Sequence, residues 1–207
     1  MSDRASIIVT MADKDLFYPK IRDGLFLAAS RTYAEQYVEP LIRARYGLHQ
    51  PVSNDHDAIG VNREKYEIKA CKVLRRSDNR LGTKSLIERI FYENLNTVLD
   101  RIVPFADRGI ANYDANVQNV KRDHFDLLIY VLLFEDCIKV FQAKSADISG
   151  GQFTGWSDKH GRYDELGKSG QFMLNRSTIE WHLEHHLIDT LTYQEAAELY
   201  EQISSEN

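Results

Sequence analysis

Residues 57–73 read DAIGVNREKYEIKACKV, and residues 125–134 read FDLLIYVLLF. In the first stretch, Tyr66, Ile68 and Ala70 alternate with Glu67, Lys69 and Cys71. A period of two sends neighbouring side chains to opposite faces of a strand. DAIGV reads as a shorter strand before it, and Asn62 to Lys65 as the turn between them. After Asp126 the second stretch carries no charge, which predicts a strand buried on both faces. Glu135-Asp136 turn it back into CIKVFQAK, a further strand.

Working outward, residues 24–46, GLFLAASRTYAEQYVEPLIRARY, carry Ala34, Tyr37, Val38, Leu41 and Ile42 at helical spacing. Pro40 kinks that helix or starts a new one, and Gly47 is a natural stop. Residues 83–103 predict another helix, ending before Pro104. Residues 149–170 are rich in Gly, Ser, Lys and aromatics and read as a long loop. WHLEHHL and LTYQEAAELYEQI close the chain as helices, the last capped by Thr192. This order predicts an α/β (α+β) fold: one domain over residues 1–207, with a central mixed sheet flanked by helices.

The chain has 26 Lys and Arg against 31 Asp and Glu, a net charge of −5. A binder that holds any polyanion regardless of sequence is usually basic. Contact with nucleic acid here therefore needs a local basic face. The start, MSDRASIIVTMADKD, lacks a basic segment leading into an apolar run, and no stretch reaches the ~18 apolar residues of a membrane span. Cys71 and Cys137 both sit in apolar segments and read as reduced core thiols. A cytoplasmic protein is expected. His182 and His186 are four apart in a helix, a metal-capable spacing, but the zinc-protease pattern is absent and a structural role is expected.

Hydrolysing a phosphodiester requires charge stabilisation on the phosphate and a deprotonated water, and a divalent cation provides both. Magnesium takes oxygen ligands, commonly one or two carboxylates plus the substrate phosphate. Glu67-Ile68-Lys69 sets an acid and a lysine on the same face of a strand. Asp57 lies ten residues earlier, and a hairpin through Asn62 to Lys65 brings it beside Glu67. A lysine beside a divalent cation is expected to have a lowered proton affinity.

The stretch D-A-I-G-V-N-R-E-K-Y-E-I-K resembles the motif of the PD-(D/E)xK nuclease superfamily, and most of all its type II restriction endonucleases. His56 stands where that motif often has Pro. As a pattern, the resemblance covers roughly residues 30–148. It implies a restriction-endonuclease-like fold and magnesium-dependent cleavage of double-stranded DNA at a short sequence. Asp57 and Glu67 would be the metal ligands, and Lys69 would orient or deprotonate the attacking water. A symmetric homodimer is expected, since two-fold symmetry matches a two-fold site. The family often adds a glutamate from the preceding helix. Taking about 100° per residue, Glu35 lies roughly 80° from the centre of the apolar face and Glu39 about 120°. Glu35 is therefore the expected catalytic acid and Glu39 the more solvated one, with Glu39 the alternative support for the metal site.

A rival set within the same reading is Asp126 with Gln142 and Lys144, although an amide is a poorer ligand for a hard cation. For DNA contact, the 149–170 loop offers Gln152, Lys159, His160 and Arg162, residue types that read bases or hold phosphates.

Overall fold

The computed structural model describes residues 14–29, 32–51, 55–76, 98–158 and 169–205. The helical segment begins earlier than the sequence pattern predicts. Helix α1 spans Lys14–Leu27. A π-helical stretch, Thr32–Val38, then runs into α2, Glu39–Tyr46. Pro40 lies in the first turn of α2, and Gly47 ends it in the left-handed conformation at φ 62°, its N–H returning to the Arg43 carbonyl. A proline at the start and a glycine at the end are the residues helix termini favour.

Strands β1 (Ala58–Ile59), β2 (Lys65–Lys72), β3 (Ala115–Val120), β4 (Leu127–Leu133) and β5 (Ile138–Lys144) follow. After them come β6 (Trp156–Ser157), β7 (Gly170–Leu174), α3 (Ile179–His186), β8 (Leu187–Leu191) and α4 (Tyr193–Ser205). A five-stranded sheet runs β1-β2-β4-β5-β8, and a second, three-stranded sheet runs β3-β7-β6. The large sheet is mixed: β2 and β4 are parallel, while the β1–β2, β4–β5 and β5–β8 pairs are antiparallel. The protein is thus an α+β fold with a mixed central sheet flanked by helices.

Strand β4 is the spine of the molecule. Its Leu128, Tyr130 and Leu132 pack into one core with Phe141, Phe172 and Ile179, and its Ile129, Val131 and Leu133 pack into another with Phe26, Leu41 and Ala196. Burying each large apolar side chain stabilises by about 1.5–3 kcal/mol. The first core is covered by the small sheet and α3, the second by α1, α2 and α4. Tyr130 stacks on Phe141 with centroids 4.9 Å apart. Thr192 caps α4 as expected: its Oγ1 accepts the Glu195 N–H at 3.1 Å, and the Glu195 carboxylate accepts the Thr192 N–H at 2.7 Å. This reciprocal pair is a capping box.

Besides the two-residue β6, three strands escape the sequence reading. β3 is the amide-rich ANVQNV, β7 is short, and β8 is a largely exposed strand at the end of the sheet. The predicted 83–103 helix lies mostly outside the described residues. Its end is not helical: Leu99–Arg101 make one 3-10 turn, Ile102 is extended, and the Val103 N–H donates to the Val73 carbonyl at 3.2 Å. Val103 precedes Pro104, a position that disfavours helix. Of the predicted 149–170 loop, residues 159–168 lie outside the described residues, Trp156–Ser157 form β6, and Gly170 begins β7. Both cysteines are free and buried, as expected. Among the described residues no helix is long and apolar enough to cross a membrane.

Candidate active site

β1 is only two residues long, so it pairs with β2 only at Lys65 and Tyr66. Beyond that point, no described strand pairs with the β1-side edge of β2. A cleft of about 870 Å³ opens along this edge. One wall is the helical segment, with Tyr33, Glu35, Glu39 and Arg43. The other is β3, with Asn116 and Gln118, and Lys69 and Lys72 rise from between them.

Side chains close the open edge. Asp57 precedes β1, and its Oδ2 accepts the N–H of Ile68 at 2.8 Å. Its own N–H donates to the Tyr66 carbonyl at 2.8 Å, and Arg43 donates to its carbonyl at 3.3 Å. Further along, the Tyr33 hydroxyl donates to the Ala70 carbonyl. Lys72 Nζ donates to the Phe26 carbonyl at 3.0 Å and also to that of Ala28, lashing the end of α1 to β2.

The expected triad comes together. Lys69 Nζ donates to the Glu67 carboxylate and lies 3.8 Å from Asp57 Oδ2. One ammonium therefore sits between two carboxylates. All three side chains are a quarter exposed or less, Glu67 least at 13%. At that depth an unpaired charge is costly, so the three depend on one another. Burial pushes the Glu67 carboxyl up, and the Lys69 ammonium only partly offsets this. Burial acts to lower Lys69, but the Glu67, Asp57 and Glu39 carboxylates outweigh it and hold the lysine above its ordinary value. Among these carboxylates its proton affinity is thus raised.

The helix acids differ from expectation. Glu35 lines the cleft and is exposed. Glu39, expected in solvent, also lines the cleft, and its side chain is only 15% exposed. Burial first, then the Asp57 charge, push its carboxyl up to about 7, against the opposing pull of Arg43 and Lys69. The reason lies in the π-helical stretch. An i→i+5 turn advances each residue by less than the ~100° of an α-helix. Tyr33 and Val38 are both buried, five residues apart, so a count made in α-helical turns misplaces everything after them.

Asp57 and Glu67 provide hard oxygen donors that share one cation, here the Lys69 ammonium. That donor set fits magnesium, which keeps most of its coordination for water and phosphate. Among the described residues, no three His, Cys, Asp or Glu side chains form a ready-made metal cage. His56, adjoining Asp57, lines the cleft and is 7% exposed, and neither ring nitrogen has a hydrogen-bond partner among the described residues.

None of the rival residues lines the cleft. Asp126 Oδ2 accepts the Lys65 N–H at 2.9 Å, and the Gln142 carbonyl lies 3.1 Å from His186 Nδ1. Lys144 is exposed at the end of β5. Gln152 is exposed and does not line the cleft, while Lys159, His160 and Arg162 lie outside the described residues. The histidine pair is structural: His182 is fully buried with Nδ1 2.9 Å from the Tyr130 hydroxyl.

Sequence reasoning missed the β3 wall, His56, Tyr33 and Lys72. Only His56 carried a signal, its place directly before Asp57. No protein-family model matches the chain, and no curated protein is significantly similar to it.

Proposed function

We propose that the chain is a magnesium-dependent endonuclease of the type II restriction kind, hydrolysing phosphodiester bonds of double-stranded DNA at a short sequence. The observation that carries this reading is the convergence of Asp57 and Glu67 on Lys69, with Asp57 and Lys69 lining a cleft of about 870 Å³. Magnesium, when bound, neutralises phosphate charge and makes a bound water acidic. Asp57 and Glu67 are the residues that hold it. A phosphate entering the cleft takes over the counter-charge that the carboxylates now supply to Lys69. Its ammonium then donates to a phosphate oxygen and orients the attacking water. Glu39, pushed up to about 7, is matched to accepting a proton near neutrality. The reading carries with it a homodimer on a two-fold symmetric site.

Incubation with mixed-sequence plasmid DNA and magnesium tests the proposal. Discrete bands are expected. A smear points instead to a repair or structure-specific nuclease of the same architecture. Intact DNA, with binding retained, leaves a module that binds without cutting.

A further inference from the structure

The β3 wall of the cleft has a property that hydrolysis does not require. Ala115 and Val117 are buried at 1% exposure and point into the core. Strict alternation would next bury Asn119. Instead, the β3–β7 register shifts between Val117 and Val120, and Val120 is the next buried residue. The extra residue is a β-bulge, and Asn119 takes it up at φ 56°, a left-handed conformation that Asn adopts more readily than most residues. As a result, Gln118 and Asn119 are both exposed, side by side. No side-chain hydrogen bond ties either amide to another described residue. Asn116, one turn of alternation earlier, is anchored instead, its Nδ2 donating to Gln171 Oε1 at 3.3 Å.

The position of the bulge matters as much as its chemistry. Gln118 lines the same cleft as Asp57 and Lys69. Lys121 follows directly after the strand. The two amides therefore follow one another at the cleft wall, Gln118 lining the cleft and Asn119 next to it in the bulge. Bulges next to active sites serve to re-aim side chains. Amide side chains pair with the N6 and N7 edge of adenine in the major groove, and a two-stranded ribbon fits that groove.

We propose that the bulged end of β3 is a base-reading element, in which Gln118 and Asn119 recognise adenine edges of the duplex held at Lys69, with Lys121 on the adjoining phosphate. This rests on the nuclease reading above. It names a reading surface on the described core, distinct from the 149–170 loop.

The test uses a duplex library with a randomised core and two variants chosen to spare the fold. Gln118→Ala removes an exposed side chain, and Asn119→Gly keeps the left-handed backbone while removing the amide. Bound sequences are selected with calcium in place of magnesium, and cut sequences are read with magnesium. The wild type is expected to prefer adenine at one or more positions in both readouts. The variants should lose that preference by about tenfold to a hundredfold, with overall affinity less changed. Replacing the preferred adenine by 7-deazaadenine should weaken the wild type and leave the variants indifferent. Variants with the wild-type preference at every position overturn the inference, whatever the cleavage result. If the wild type selects sequences but does not cut, the nuclease reading fails, and the variants' selection still decides the reader. If the wild type selects nothing, the reader fails as well.

Discussion

The Asp57 carboxylate does two jobs through one oxygen: Oδ2 accepts the Ile68 N–H at 2.8 Å and faces Lys69 Nζ at 3.8 Å. The same group therefore finishes the open edge of β2 and carries part of the charge in the cleft. Asp57→Ala should destabilise the protein by about 1–3 kcal/mol, because the half-buried Ile68 N–H loses a charged acceptor. Asp57→Asn keeps an acceptor and should cost less than ~1 kcal/mol, yet cleavage should be lost in both, with DNA binding retained. Urea denaturation together with a plasmid assay reads this. An Asn variant that cuts at the wild-type rate removes Asp57 from the machinery.

Lys69 and Glu67 form the second test. Lys69→Ala should slow single-turnover cleavage by roughly 10²–10⁴-fold while metal-dependent DNA binding remains measurable. Arginine should not restore the rate, because a planar guanidinium cannot take the place of a compact ammonium between two carboxylates. Glu67→Ala should be equally inactive. If Lys69→Ala and Lys69→Arg both cut at near-parent rates, the lysine is a structural counter-ion and the nuclease reading fails at its most specific residue.

Glu39 gives a prediction about stability and pH. Its folded value of about 7 stands above the 4.5 of the free side chain. Between those values the folded state holds more protons than the unfolded one, so stability declines as pH rises through the window. Glu39→Gln removes that loss. The variant should gain about 1–3 kcal/mol over the parent at pH 8 and nothing at pH 4 in metal-free buffer. A constant difference across that range contradicts the assigned burial.

His182 acts in the opposite direction. Burial first, then His186, lower it from 6.5 to about 3. The unfolded chain binds the proton more readily, so stability falls as pH drops below 6.5 toward 3. The loss should reach roughly 2–3 kcal/mol by pH 4.5. His182→Gln should have a shallower acid slope than the wild type despite lower stability at pH 7. Equal slopes in chemical denaturation would mean that the ring titrates freely.

The parts legible in the sequence are those governed by strong local periodicity. β2, β4 and β5 announce themselves by alternation or by an unbroken apolar run, and α4 by its Thr192 cap. The convergence of Asp57, Glu67 and Lys69 followed from strand parity plus one hairpin. The rest depended on events periodicity does not encode. The π-helical stretch shifts Glu39 into the cleft without altering the pattern of residue types. β3 is poor in strand-forming residues and is held by its pairing with β7 and by three small buried side chains, Ala115, Val117 and Val120. Its place as a cleft wall is a tertiary fact, recorded nowhere in ANVQNV.

The lashing of α1 to β2 makes the two jaws of the cleft mechanically unequal. On the helical side, Tyr33 and Lys72 fasten the backbone of α1 and the π-helical stretch to β2 through three hydrogen bonds. On the other side, the side-chain hydrogen bond from β2 to β3 among the described residues is that of the Cys71 thiol, which burial pushes up to about 12 and so keeps protonated, donating weakly to the Asn116 carbonyl at 3.2 Å. On the nuclease reading, a duplex that wedges the cleft wider should meet a fixed anvil on the helix side, with the yielding left to the strand that carries the amides.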